Sequence, residues 1–482
     1  MSDFAPAPVS ERTKHEALGR DGRTRVLELL RRHGWNATSF QVLERGFAYW
    51  FDPAADACVA YVDTGSAWVA AGAPIGPETD VTGSAQRFIV AARMARRRAV
   101  FFAVEDRFLR ENDVVASMPI GEQPSWDPRT WPSLVERERR LREQLRRARS
   151  KGVVVRALSS AEMLGDHGTA RDEVEGLVAR WLGGRKMPPM GFVVDVQLFD
   201  FVEERRCFVA EHAGRIIGLL VAIPVYQREG GGWFFEDLLR ERAAPNGTAE
   251  LLIDAAMRAV GAEGSGWVTL GLAPLAGAVE PWMRFLSACS AVLYDFDGVR
   301  RFKAKLRPSE WSAIHLAWPR EASGNRALVD ALAAFTMRPH GGRERASFLG
   351  FGLETLAHAP ALGVRVLALC LVPWTLAIAL APTERYFPSR TVQLLWVGWD
   401  VLLAIGLLAL SMRWREALAR GLAIATSVDA ILTVVEVVAD GAQRARHVLD
   451  AMVLAVACTG PLLGTALLWG ALARRIRRAD GR

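Results

Sequence analysis

Lysine is nearly missing from this chain. Among 60 basic residues there are only Lys14, Lys151, Lys186, Lys303 and Lys305. Arginine stands wherever any cation suffices, so the remaining lysines draw notice, because a compact ammonium and a planar guanidinium do different chemistry. Cysteine is sparse as well. The five cysteines are scattered, odd in number and without a CxxC pair, which excludes a disulfide framework and a zinc site of recognisable spacing. The opening residues MSDFAPAPVSERTK have no apolar signal-peptide core, so the bulk of the chain is expected in the cytoplasm. No P-loop occurs, which argues against nucleotide hydrolysis. His167, His212 and His315 have no nucleophile or carboxylate at telling spacing and receive no role.

What is present is a long, mildly basic chain. Its 482 residues, net charge +7 and pI near 9.4 allow about three domain-sized units. The charge suits an anionic partner, nucleic acid or membrane surface, and equally an arginine-rich genome. The apolar excess lies in the last quarter. Stretches at 363–381, 392–412, 421–438 and 451–473 each approach the ~20 residues a helix needs to cross a bilayer. Arg338, Arg343 and Arg345, the arginines of 413–420 and those of 474–478 flank one side, while each outer loop holds two arginines. The positive-inside rule therefore predicts both termini in the cytoplasm. Asp400 and Asp429 fall inside the spans and mark either a headgroup or proton site or hydrogen bonding between helices.

The pattern predicts an α+β protein: a disordered tail (1–23), a first lobe (24–135), a basic linker helix (136–152), a second lobe (153–322), a linker (323–362) and four transmembrane helices (363–475). In the first lobe 47–52, 57–63 and 66–72 read as strands, with a turn at Asp63-Thr64-Gly65. A helix (81–98) and a strand (99–105) follow. In the second lobe 205–227 reads as a hairpin turning at Ala213-Gly214. A strand (232–239), a helix opening at Asn246-Gly247-Thr248, a strand (267–273), another helix and a last strand (312–318) complete it. Meander, helix, strand recurs in both halves, as expected of tandem acetyltransferase-like (GNAT-like) lobes. In the linker, Arg139, Arg142, Arg146 and Arg149 recur at spacings of three and four and share one helical face. Such a stripe suits a phosphate backbone, tRNA included, or it is a solvated face diluted by Glu136, Glu138 and Glu143.

Five ordered segments carry a family likeness: RRLREQLRRARSKG (139–152), WLGGRK (181–186), FFEDLLRERAAPNGTAELLI (234–253), VTLGLAPLAG (268–277) and YDFDGVRRFKAKLRPSEW (294–311). With AGAPIGP (71–77), which is similar to a GDPxG turn, they resemble the phosphatidylglycerol lysyltransferase (aminoacyl-phosphatidylglycerol synthase) family over about 40–320. Two features depart from it. The family's membrane helices precede the catalytic domain, whereas here the apolar stretches follow it, and Ala73 stands where the family turn often has Asp.

The resemblance implies a membrane-anchored transferase that moves an amino acid from aminoacyl-tRNA to phosphatidylglycerol in the bilayer, altering lipid charge. An aminoacyl ester is already activated, so no cofactor is expected. The chemistry needs cations for phosphate, oxyanion stabilisation and a proton path. Asp237 and Arg240 match the family's D-x-x-R: Asp237 for the α-ammonium or the alcohol proton, Arg240 for phosphate or the ester. Lys303 completes the candidate catalytic set. Arg185, Lys186, Arg301 and Lys305 are the candidate substrate contacts. If 300–307 is extended, Arg301, Lys303 and Lys305 share a face. APNGTAEL (243–250) occupies the place of a Gly-rich acetyl-CoA loop, which argues against an ordinary acetyl-CoA enzyme. The alternatives are transfer to another lipid or peptide acceptor, or a non-catalytic, membrane-tethered RNA- or lipid-binding protein. The amino acid and the oligomeric state stay open.

Overall fold

A computed structural model of the chain describes residues 11–110, 112–165, 170–185, 190–194, 196–280, 295–337, 360–383, 387–437 and 448–480. The chain divides into two compact units, the first within 1–348 and the second within 349–482, and each is described by itself.

The first unit is built on one sheet. Strands β1 (Ala48–Phe51), β2 (Cys58–Asp63) and β3 (Ala67–Ala71) form an antiparallel meander. At the β2–β3 turn the Asp63 carboxylate accepts a hydrogen bond from the Gly65 N–H at 2.8 Å. The helix Val81–Met94 then carries the chain over to β4 (Arg98–Glu105), which runs parallel to β3. A long strand, β5 (Val115–Trp126), follows. The same order returns with β6 (Val154–Leu158), β7 (Arg206–His212), β8 (Arg215–Val225) and β9 (Gly232–Arg240), each antiparallel to the next within this set. The helix Thr248–Ala262 leads to β10 (Trp267–Thr269), parallel to β9. A two-residue strand, β11 (Ala273–Pro274), pairs with β5, and β12 (Glu310–Pro319) comes last.

The halves exchange their closing strands. β12 lies between β4 and β5, and β5 lies beside β10, so the sheet runs β1-β2-β3-β4-β12-β5-β10-β9-β8-β7-β6. The two expected lobes are thus joined into one twelve-stranded sheet. β5 escapes a reading by propensity because Pro119 and Pro124 argue against a central strand. Both prolines fall outside the stretches of β5 paired to β10 and β11, where no ladder hydrogen bond on that side is lost.

Three expectations are corrected. The helix Glu11–His33 begins inside the segment read as a disordered tail (1–23), and beyond it Val26, Leu29 and Leu30 at helical spacing bury into the core. The linker over 323–362 begins with the helix Gly324–Phe335. Its Ala327, Ala331 and Ala334 pack into the first-half core, and Asp330 accepts two hydrogen bonds of 2.7 Å from Arg98. His340 to Arg345 and Arg338 lie outside the described residues. The strand read over 267–273 breaks after Thr269. The basic helix is Arg139–Ser150. Leu141, Leu145 and Ala148 seat it in the second-half core, and its arginines face outward.

The second unit is helical: Pro360–Leu380, Arg390–Met412, Glu416–Glu436 and Val448–Asp480. Three spans, Gly363–Leu380, Arg390–Met412 and Glu416–Val435, are long and apolar enough to cross a membrane, and the fourth helix has a shorter apolar stretch at Ala457–Ala473. Leu403, Leu407, Leu422 and Leu468 pack inward, while Leu376, Leu395, Leu402, Ile405 and Ile431 are exposed. Apolar rows turned outward suit lipid rather than water. Asp400 and Asp429 are both buried and interact with each other across two helices.

Candidate active site

The site follows from how β10 leaves β9. The two strands pair from Trp267–Gly232 to Thr269–Phe234 and then separate. From Phe235 to Arg240, β9 keeps β8 on one side and has no strand partner on the other among the described residues. Asp237 and Arg240 lie on this one-sided end. Asp237 is half-buried opposite Val221 of β8. Arg240 is the exposed last residue of the strand, and its guanidinium donates to the Glu241 carbonyl at 3.4 Å.

Lys303 holds the separation open. The segment 296–305 is a helix, Phe296–Lys305, rather than the extended run considered from sequence. Arg301 and Lys305 are therefore exposed one turn apart, and Lys303 points the other way, only 7% exposed. Its ammonium donates to the carbonyls of Leu270, Gly271 and Leu272 at 2.8, 2.8 and 2.9 Å. All three N–H bonds are used on the loop that leaves β10. Burial pushes the Lys303 amine down to about 7. The three acceptors favour the charged form, since a neutral amine would turn a lone pair on one of them. Gly271 makes the approach possible. Its φ is +70°, and a Cβ there would lie 2.6 Å from the Phe234 ring.

Beneath the strand end lies a buried charge cluster that the sequence reading missed. Glu236 pairs with Arg205 at 3.1 Å, their side chains 6% and 2% exposed. Gln41 donates to Glu236 at 2.7 Å and to the Val193 carbonyl at 2.8 Å. Glu44 is buried against the same group. Burial first, then the charge of Glu236, raise its carboxyl well above the usual range, and Arg205 opposes them. Both effects favour the protonated form of Glu44 beside Glu236, and its Oε2 is buried with no hydrogen-bond partner among the described residues. Asp237 also raises Glu44, which puts the D-x-x-R carboxylate within electrostatic reach of the cluster. One signal was available: FFEDLL is a strand with a carboxylate at an otherwise apolar inward position.

The other candidates fall elsewhere. Arg185 is exposed and stacks on Trp181 at 3.6 Å. Lys186 lies outside the described residues. Arg301 lies 3.8 Å from Asp295. Asn246 does not cap the helix it precedes: Gly247 takes the cap position, with no side-chain hydrogen bond. Arg139, Arg142, Arg146 and Arg149 line one open groove of about 600 Å³, joined by Arg258. Asp254 organises that groove. It is buried, and it accepts from the Trp131 indole at 3.0 Å and from Arg149 and Arg258 at 2.9 Å each. Arg139 is engaged by Glu143 at 2.9 Å. Arg142 and Arg146 are exposed, with no ion-pair partner among the described residues.

The family model described as "Phosphatidylglycerol lysyltransferase, C-terminal" matches residues 27–317. Two solved structures share the fold. One is the C-terminal domain (DUF2156) of a proposed lysylphosphatidylglycerol synthetase from Agrobacterium fabrum, 20% identical with TM-score 0.58, covering 67% of this chain and 99% of that one. The other is L-PGS from Bacillus licheniformis, 20% identical with TM-score 0.55, covering 65% and 97%. No curated protein is significantly similar to the chain.

Proposed function

The chain belongs to the phosphatidylglycerol lysyltransferase C-terminal family, and on that premise we propose that it is a membrane-anchored aminoacyltransferase moving an amino acid from tRNA to phosphatidylglycerol. The observation that carries this reading is the one-sided end of β9, where the D-x-x-R pair sits above a buried acid cluster. There Asp237 takes the proton of the attacking glycerol hydroxyl or holds the α-ammonium, and Arg240 offers a guanidinium to phosphate. Lys303 acts as a positioning group that keeps the loop after β10 clear of β9. Arg185, Lys186, Arg301 and Lys305 remain the proposed outer contacts to substrate.

The arginine groove is the proposed tRNA surface. Full-length protein in phosphatidylglycerol liposomes, supplied with tRNA charged with labelled amino acids, should yield a new ammonium-bearing lipid. Absence of lipid product with every charged tRNA would refute the reading, and product on a different lipid would move the acceptor. In the same system, Arg142→Glu with Arg146→Glu should weaken tRNA binding. The slope of log affinity against log salt should fall by about 1.4–1.8, since each lost phosphate contact removes roughly 0.7–0.9. An unchanged slope would make the stripe a solvated face.

The orientation follows from the arginine clusters. Counting the shorter stretch Ala457–Ala473 as a fourth crossing beside the three longer spans, both termini lie in the cytoplasm, where charged tRNA is found. A reporter active only outside the cytoplasm should be silent when fused after Arg482 and active when inserted near Thr391. The reverse pattern would refute both the orientation and the tRNA reading.

A further inference from the structure

The first half of the sheet repeats the feature that makes the candidate site in the second. β3 pairs with β4 only as far as Ala71–Phe102, and the chain then turns away through 72–77, just as β9 and β10 part after Phe234–Thr269. At the parting of β3 and β4 lies a cavity of about 140 Å³, lined by Trp35, Asn36, Ser39, the 73–76 turn, Thr82, Arg107 and Arg110. None of these residues belongs to the Asp237 site.

The cavity's polar groups call for an acceptor. Asn36 is 8% exposed, and its side-chain N–H group has no acceptor; the neighbouring Thr38 hydroxyl is likewise buried without a partner. Burying such groups without a partner is unfavourable, because the water they lose is not replaced. Both crowd Gly72, whose φ is +80° and where a Cβ would lie 2.6 and 2.9 Å from them. The first turn of the helix Val81–Met94 also faces the cavity through Val81 and Thr82; its N-cap residue is Asp80, whose side chain makes no capping hydrogen bond. The positive end of the helix dipole favours an anion there.

Among the residues that line the cavity, Arg107 and Arg110 outnumber one carboxylate, Glu78. Arg107 lies over the Trp35 ring at 3.9 Å and pairs with Glu78 at 2.6 Å. On the other side of Trp35, Arg228 pairs with Glu105 at 2.5 Å. Asp80 pairs with Arg87, which also holds Asp52, and Asp106 meets His315 at 3.0 Å; neither Asp80 nor Asp106 lines the cavity. His33 is pushed down by burial and by Arg32, so it is neutral at neutral pH. Arg110 is exposed and has no ion-pair partner among the described residues. Ala73, at the rim, is the position where the family turn often has Asp; in this chain no carboxylate opposes Arg110 there.

We infer that this cavity is a small-anion site that takes a phosphate group, separate from the transfer centre. The phosphate is either that of a glycerophospholipid headgroup or free phosphate, and the probes distinguish them. Full-length protein in detergent micelles is titrated calorimetrically with glycerol phosphate and, separately, with inorganic phosphate at constant ionic strength. Saturable binding is expected. Both Arg110→Glu and Ala73→Asp should weaken it by about tenfold or more, since each turns the cavity's net charge against the ligand. Ala73→Asp introduces the residue that the family turn itself carries, and unchanged melting of both variants checks the fold. Tighter binding of glycerol phosphate assigns the site to a headgroup, and tighter binding of inorganic phosphate to the free ion. No saturable binding of either probe, or full affinity in both variants, overturns the inference. The titration contains no tRNA, so its failure leaves the transfer reading untouched.

Discussion

Asp237→Asn should leave a folded, membrane-bound protein whose lipid aminoacylation is slower by roughly two to four orders of magnitude, the scale of a positioned acid–base group. The substitution keeps volume and one carbonyl acceptor and removes the charge. The fold should persist because Asp237 is half-buried at a strand end, and one charge-assisted hydrogen bond contributes only about 1.5–3 kcal/mol. Liposome assays at several pH values separate its two proposed roles. If Asp237 takes the proton, the low-pH limb of the rate profile disappears in the variant. If it holds the α-ammonium, KM for charged tRNA rises and the limb survives. Wild-type turnover would move the centre away from β9, and unfolding would make Asp237 a structural carboxylate.

Arg205→Ala should be the most destabilising single change in the first unit. It leaves Glu236 charged, buried and without its cation, and breaking a buried pair in this way costs about 3–5 kcal/mol. For a unit of this size that corresponds to roughly 4–7 °C in Tm, readable by thermal scanning of the full chain. Glu44→Gln should behave in the opposite way. Its carboxyl is raised in the folded state, so folding favours the protonated acid. That stabilisation is complete below the ordinary Glu value of about 4.3 and is lost as pH rises through the raised folded value. Glutamine keeps a donor for Glu236 and cannot ionise. The variant should match wild type near pH 4 and melt higher than wild type on the alkaline side. Parallel melting curves at all pH values would mean that Glu44 and Glu236 do not share a proton.

Much of the architecture is legible in local pattern. The hairpin at Ala213-Gly214 is read from a tight turn between apolar runs, and both turn residues take positive φ. The arginine stripe is read from helical spacing, and it lines one groove because Leu141, Leu145 and Ala148 bury the opposite face. The apolar spans are read from length alone. Each of these depends on residues within one or two turns of each other, so chain order is sufficient to find them. Residues 300–307 mark the edge of that reach. Alternating cations fit an extended strand or a helix equally, and burial of Lys303 under the loop 270–272 decided for the helix.

The remainder was decided by partners far apart in the chain. Gln41 meets Glu236 across 195 positions, Arg98 meets Asp330 across 232, and Trp126 donates to the Leu306 carbonyl across 180. The exchange of β5 and β12 belongs to the same class. By itself the sequence determined the repeated order of strands and helices and the apolar spans, because periodicity and turn chemistry act between near neighbours; the D-x-x-R pair was marked by the family resemblance. Only the tertiary structure decided that the halves share one sheet, that the lysine ammonium bonds three carbonyls, and that two glutamates and an arginine meet under β9. A buried charge is tolerable only where its partners converge, and that convergence is a property of the packed chain rather than of any stretch of it.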